Sequence, residues 1–389
     1  MNKNKMAPPI RFQGFIAPWK QRKLSEVTDR YDNLRVPVTA NLRIPGNTPY
    51  YGANGIQDYV DGYTHDGEFI LVAEDGAKDL SNYPINYVNG RIWVNNHAHV
   101  LQGKNHIASN KFLAYAMRKI DIKSVLVGGG RAKLNAEAMM KLGLQLPSYS
   151  EQAKIGASLQ TIDNLITLHQ RKLEQQKKMR AYFLKYMFPD EGEKIPKIRF
   201  QGFTENWKQH KLRDLGKIVT GSTPSTSNPK YYSVDGIPWV TPTDIQSNLI
   251  LDTERHLSEE GIKVARIVPA NTILCTCIAS IGKNALLPIK GSFNQQINSL
   301  TPNRDNDVYF LLAESNLWSR KMKHMAASGT MQIVNKKEFS ELATMIPEYN
   351  EQKKIGLWFK KVDDLINLQQ RKIDQLQTVK KFMLQNMFI

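Results

Sequence analysis

The feature that most constrains this chain is a long amphipathic text written twice. From Pro147 it reads PSYSEQAKIGASLQTIDNLITLHQRKLEQQKKMRAYFLKYMF, and from Pro347 it reads PEYNEQKKIGLWFKKVDDLINLQQRKIDQLQTVKKFMLQNMF. Pro147 and Pro347, Glu151-Gln152 and Glu351-Gln352, Ile155-Gly156 and Ile355-Gly356, and Met187-Phe188 and Met387-Phe388 all lie 200 positions apart. In the first copy Ile155, Leu159, Ile162, Ile166, Leu173, Phe183 and Met187 recur at the three- and four-residue steps that put one apolar stripe on a helix. Ile355, Phe359, Val362, Ile366, Ile373, Leu376, Met383 and Met387 form the matching stripe in the second. His169, Gln176 and Arg180 interrupt the first stripe, and polar residues on such a seam trade stability for a fixed partner and register.

A second text repeats at the front of each half. Ile10-Arg11-Phe12-Gln13-Gly14-Phe15 with Trp19-Lys20-Gln21 returns as Ile198-Arg199-Phe200-Gln201-Gly202-Phe203 with Trp207-Lys208-Gln209, at an offset of 188. The front offset of 188 against the back offset of 200 gives the second copy twelve more residues between shared ends. That pattern predicts two globular modules with different interiors, each followed by the same long helix, and its period excludes a solenoid of short units. The predicted layout is a first module over 1–146, a helix over 147–188, a linker over 189–196, a second module over 197–346 and a second helix over 347–389. Because the linker is short, we expect the two helices to pair antiparallel as a coiled coil, which makes the fold class α+β.

With 389 residues, 41% of them hydrophobic, the chain can bury two ordinary cores, and no run of eighteen apolar residues is present to cross a membrane. The first residues carry no apolar signal segment, and Cys275 and Cys277 offer no disulfide framework. A soluble, cytoplasmic location is expected. A net charge of +17 points to nucleic acid, the commonest acidic partner of such a chain, with an acidic protein partner or a solvated basic surface as the alternatives.

Both interiors read as short strands and turns followed by helices. Glu68–Ala73 and Ile273–Ile278 are apolar strands closed by Asp75-Gly76-Ala77 and by Ile281-Gly282-Lys283. Asn95-Asn96-His97 and Asn294-Gln295-Gln296 occupy corresponding places, while Ser109, Asn135 and Asn335 stand where helix caps belong. Thr220–Ser225 and Ile237–Asp244 have no evident copy in the first interior, which places the twelve extra residues there.

Catalytic motifs do not emerge. Gly282-Lys283 has Cys277 and Asn284 where a phosphate loop needs glycine and a hydroxyl. Ala7-Pro8-Pro9-Ile10 lacks the acceptor and ring of an amino-methyltransferase loop. Pro189-Asp190 with Glu193-Lys194 is read as a linker rather than a nuclease metal site. His97 and His99 share one side of a predicted strand but lack further ligands, so no metal is expected.

The front text R-F-x-G-F-x-x-x-W and the back text P-x-x-x-E-Q-x-K-I, each present twice around divergent interiors, resemble the specificity subunit of type I restriction-modification enzymes over essentially the whole chain. Ile237-Pro238-Trp239-Val240 with Asp244, Ile281-Gly282-Lys283, Asn294-Gln295-Gln296 and Ser328-Gly329-Thr330 are similar to the family's target recognition domain. The resemblance implies a non-catalytic subunit that reads a bipartite site on double-stranded DNA, one domain per half-site. It implies two modification subunits and restriction subunits as partners, and leaves S-adenosylmethionine, ATP and Mg to those partners, with no cofactor in this chain. A non-enzymatic adaptor, with helices docking proteins and basic modules binding acidic surfaces, remains the alternative.

Bases are read by Arg, Lys, Asn and Gln, and phosphates are held by cations and small-residue loops. On that basis, and on the resemblance, the candidate DNA-binding residues are Tyr50, Tyr51, Asn54, Lys78, Asn95, Asn96, His97, Arg131 and Lys133 in the first module. In the second they are Thr223, Ser225, Thr241, Lys283, Asn294, Gln295, Gln296, Thr330 and Gln332. Each amide can equally serve a buried backbone group, and the two tyrosines are read first as half-buried packing. Ile155, Leu159, Ile162, Ile166 and Leu173, with Ile355, Phe359, Val362, Ile366 and Ile373, are the candidate helix-pairing and partner-binding residues.

Overall fold

A computed structural model describes residues 7–128, 132–328 and 333–389. It divides into two compact units: residues 1–170 with 371–389, and residues 171–370. The halves of the long helices thus belong to the globular units rather than standing apart from them.

The first unit contains β1 (Lys20–Lys23), α1 (Leu24–Val27), β2 (Thr28–Arg30), β3 (Pro45–Gly52), β4 (Gly55–Val60), β5 (His65–Ala73), β6 (Ile85–Val94), β7 (Ala98–Gly103), α2 (Asn110–Met117), α3 (Ala136–Met140), β8 (Gly143–Leu146) and the first half of α4 (Tyr149–Tyr186). A six-stranded sheet runs β2-β7-β5-β6-β3-β4, and β1 pairs with β8 in a separate ribbon. β5 is buried on both faces: Ile70 and Val72 join the core under α2, whereas Phe69 and Leu71 join a smaller cluster on the other side. That two-sided burial explains its unbroken apolar sequence.

The second unit holds β9 (Lys208–Lys211), α5 (Leu212–Leu215), β10 (Gly216–Thr220), β11 (Tyr232–Val240), β12 (His256–Leu257), α6 (Glu259–Val264), β13 (Ile267–Val268), β14 (Thr272–Thr276), β15 (Asn284–Leu287), β16 (Gly291–Phe293), β17 (Ile297–Pro302), α7 (Val308–Ser328), α8 (Lys336–Glu341), β18 (Ala343–Ile346) and the first half of α9 (Tyr349–Asn386). Its sheets run β10-β17-β14-β15 and β12-β11-β16-β13, with β9-β18 as the ribbon. Cys275 and Cys277 are free and buried in its core.

Strand register carries the duplication through the divergent interiors. Arg30 pairs with Leu101 as Ile218 pairs with Leu300, and Tyr51 pairs with Val94 as Val240 pairs with Phe293. Val72 pairs with His99 as Cys275 pairs with Asn298. The offset between copies is therefore 188 at Arg30, 189 at Tyr51, 203 at Val72 and 199 at Val94. This corrects the expectation that Ile237–Val240 lacks a copy and that the extra residues lie at Thr220–Ser225; of the expected segments only Thr241–Asp244 falls where residues are added. Pro49-Tyr50-Tyr51 is the counterpart of Pro238-Trp239-Val240, and the insertion falls after it in two parts: Pro238 pairs with His256 as Pro49 pairs with Tyr59, so part lies between Val240 and β12 and the rest between β12 and β14, where α6 and β13 are. A second correction follows: Leu134 N donates to Glu74 O as Val334 N donates to Cys277 O, so Asp75-Gly76-Ala77 matches Ile278-Ala279-Ser280, not Ile281-Gly282-Lys283. Ala279 adopts φ 60° where its counterpart Gly76 has φ 68°.

The shared ends are structural. Arg11 donates twice to Glu151 at 2.8 and 2.6 Å, and Arg199 donates twice to Glu351 at 2.7 Å. Gln152 accepts from Ser109 N while Gln352 accepts from Asp307 N. Phe388 packs on Trp19 and Phe112 in the first unit, and Phe188 packs on Trp207 and Phe310 in the second. Within the first unit Lys380 pairs with Asp163 at 2.5 Å; within the second the equivalent residues, Arg180 and Asp363, are 2.5 Å apart. Ile155, Leu159, Ile355 and Phe359 are fully buried in the cores of their own units, which corrects their assignment as partner-binding residues. Ile166, Leu173, Val362 and Ile373 are buried, and Ile162 and Ile366 half-buried. Asn135 and Asn335 cap α3 and α8 as expected, but the Ser109 side chain caps nothing, its backbone N–H going to Gln152 instead.

Candidate nucleic-acid interface

In each unit the same strands deliver a cluster of loops to one rim. In the second unit Asn294 N donates to Val240 O at 2.9 Å, fixing the turn after β16 against the end of β11. The Asn294 side chain, 9% exposed, accepts from Gln296 N at 3.1 Å and donates to Gln296 Oε1, forming a closed turn with Gln295 exposed at its tip. Thr223 Oγ1 donates to Gln295 Oε1, which joins the loop after β10 to that tip. Lys283 Nζ reaches Pro242 O at 3.3 Å, and Cys277 N donates to Gln296 O, so the loop after β14 and the loop after β11 share the rim. Gly282 holds φ 82°, the left-handed conformation that lets the chain turn before the exposed Lys283. Thr241 is half-buried and tied to Asp244 by its backbone N–H at 2.7 Å and its hydroxyl at 2.6 Å. Ser225 is exposed and bonds Ser227.

The first unit repeats this arrangement with different side chains. Asn95 N donates to Tyr51 O at 3.0 Å, Asn95 Oδ1 accepts from His97 N at 2.9 Å, and Asn96 is the exposed tip. Asn54 Nδ2 donates to Gly76 O and Asn54 Oδ1 accepts from Lys78 N, each at 2.9 Å, clamping the β3–β4 turn to the loop after β5. His97 Nδ1 lies 2.5 Å from Asp75 Oδ1, which brings that loop to the Asn95 turn. Lys78 is exposed on the same loop.

Several candidates are already engaged inside the unit. Tyr50 is 1% exposed; its hydroxyl is bound to Val38 N and O and its ring lies under Arg43, so it is a core residue. Tyr51 is half-buried, and burial raises its hydroxyl pKa above the ordinary value. Asn95 and Asn294 shape their turns and leave the tip to their neighbours, while both ends of the Asn54 carboxamide are consumed by backbone. Lys133 pairs with Glu74 at 2.9 Å, which raises its pKa. Arg131, Thr330 and Gln332 lie outside the described residues.

The sequence reading missed Arg35, which anchors the first rim from below. It donates to Glu74 at 2.6 Å, to Ala98 O at 3.0 Å and to Asn96 O at 3.4 Å. Asp32, Glu74 and His99 bring three possible metal-ligand atoms within 4.8 Å of one another. The groups are already committed: His99 Nδ1 faces Asp32 at 2.7 Å and Nε2 faces Leu134 O at 2.9 Å, while Arg35 and Lys133 neutralise Glu74. Burial opposes ionisation of Asp32, but hydrogen bonds from His99 and Val100 N outweigh it and hold its pKa low. The cluster is an ion-pair network beneath the rim. His97 and His99 do not converge on one ligand position, because His97 belongs to the turn and His99 to β7.

The comparisons with known proteins agree with this geometry. The family described as the type I restriction modification DNA specificity domain matches residues 17–178 and 204–378. A putative type I restriction enzyme specificity subunit of Haemophilus influenzae is 28% identical over 91% of this chain and 90% of its own length. The MjaIX specificity subunit of Methanocaldococcus jannaschii is 29% identical over 50% of this chain and 45% of its own. Among solved structures, the S subunit of a type I restriction-modification system from M. genitalium superposes with a TM-score of 0.77 over 99% of both chains at 14% identity, a likeness of fold. Two rims built on one strand register, both inside the matched regions, place the chain in the type I restriction-modification family as a DNA specificity subunit with two target recognition domains.

Proposed function

We propose that each unit reads one half of a split DNA site through its rim, and that the long helices set the spacing of the half-sites and dock two modification subunits. The observation that carries this reading is the duplicated rim: a buried Asn, an exposed amide tip and a neighbouring loop with an exposed lysine, Lys78 or Lys283, recur on equivalent strands. The net charge of +17 supplies the attraction to phosphates.

Docking is supported by a duplicated set of exposed apolar side chains. Leu165 and Leu365 are 38% and 44% exposed, Leu168 and Leu368 45% and 44%, and Tyr182 and Phe382 52% and 53%. Large apolar groups that stay exposed in both copies suit a partner that binds twice. Methyl transfer with S-adenosylmethionine, and cleavage with ATP and Mg, are assigned to partner subunits, restriction subunits among them. A cytoplasmic site of action fits two free buried cysteines, and among the described residues no helix is long and apolar enough to cross a membrane.

The test is duplex binding by the chain with its modification partner across a salt series. Affinity should fall steeply with salt while one bipartite sequence stays preferred. Absence of sequence preference at every salt concentration would overturn the reading.

A further inference from the structure

We infer that Asn96 and Gln295 are equivalent adenine-reading residues, one in each half-site; this rests on the proposed DNA-reading role of the rims. Both are the middle residue of a turn closed by the preceding asparagine: Asn95 Oδ1 accepts from His97 N, and Asn294 Oδ1 accepts from Gln296 N. Both turns hang from the same strand register, through Tyr51 O and Val240 O. Both side chains are exposed while the asparagines that hold them are buried.

Turn chemistry does not account for the pair. Asparagine suits a turn, but glutamine is not a favoured turn residue, so an amide at the tip of both copies points to what the amide does outward. A carboxamide carries a donor and an acceptor side by side in one plane. A phosphate offers acceptors only, and a surface built for phosphate alone is served better by lysine. Among major-groove edges, guanine shows two acceptors, cytosine a donor, thymine an acceptor with a methyl group, and adenine alone the adjacent donor and acceptor at N6 and N7. Each tip is held in place from behind. Thr223 donates to the side-chain Oε1 of Gln295, whose second lone pair and amide N–H groups have no partner among the described residues, while Arg35 donates to the backbone carbonyl of Asn96 at 3.4 Å and leaves its carboxamide to point outward.

The experiment uses the chain with its modification partner. On wild-type protein, 7-deazaadenine is placed at each adenine of the specific duplex in turn, removing N7 without changing the protein. One position in each half-site should lose about 10-fold in affinity. Gln295→Ala should abolish that loss in one half-site and relax the methylated motif at that position alone; Asn96→Ala should do the same in the other half. If no adenine is sensitive, or if the variants weaken all sequences equally, the assignment is overturned while a bipartite motif persists. Relaxation at a position that is not adenine overturns the base assignment. Loss of any bipartite motif for the wild type would instead refute the rim reading on which the assignment rests.

Discussion

The most informative stability prediction concerns the clamp between the front and back texts. Glu351 is fully buried and takes two charge-assisted bonds from Arg199, both 2.7 Å long, and Arg199 also donates to Glu205 O at 2.7 Å. Arg199→Met leaves a buried carboxylate unpaired, which costs about 3–5 kcal/mol. Replacing both partners, Arg199→Met with Glu351→Met, removes the stranded charge and should recover much of that loss. A single melting temperature is poorly defined for a chain of two units, so hydrogen exchange read by mass spectrometry on peptides from each unit is the suitable assay. In Arg199→Met, amides of residues 208–220 and 272–302 should exchange roughly two to four orders of magnitude faster, while residues 65–103 keep their protection. Arg11→Met should give the mirror result through Glu151. An Arg199→Met cost below about 1 kcal/mol, or a double variant no milder than the single one, would refute the clamp as the element that closes each unit.

Three further predictions address other parts of the molecule. Glu314 is fully buried, and burial raises its carboxyl pKa from 4.5 to about 8 despite the Thr344 hydroxyl. The folded state therefore holds a proton that the unfolded state releases, so the second unit should lose about 1.4 kcal/mol per pH unit as pH rises between those values. Glu314→Gln should flatten this profile in urea titrations at pH 5 to 8. Gly156→Ala would place a Cβ 2.7 Å from Phe112 N, and Gly356→Ala one 2.7 Å from Phe310 N, so each should destabilise its own unit by about 1–3 kcal/mol in hydrogen exchange. Four residues inserted after Leu168 lengthen the helix by ~6 Å, so the unread gap in the methylated site should grow by one or two base pairs at ~3.4 Å each. An unchanged gap in such an active variant would leave the helices only the docking role.

Much of the fold was legible because the same physical constraints are written twice. The apolar stripe of Ile155 and Leu159 announced a helix, and the unbroken Phe69–Ala73 run announced a buried strand, since both depend on local periodicity. Asn335 was legible as a cap because it repeats Asn135 at the offset of 200, and the structure adds Glu338 as its capping-box partner. The rim was legible only in outline. Tyr50 and Asn95 resemble surface groups in composition, and their burial follows from the parallel pairing of β3 with β6, a long-range contact that no local pattern encodes. Arg35 escaped notice for the same reason, since its partner Glu74 is 39 residues away. The clamps were the most accessible of the missed features: an Arg and a Glu that recur together in both copies were candidates for one another.

The claim that each unit reads its own half-site is tested most directly by replacing residues 20–146 with the interior of a related specificity subunit. The methylated motif is then sequenced in cells that carry the chimera and the modification partner. One half of the motif should change to that of the donor, with the other half and the gap retained. A change in both halves would contradict the account.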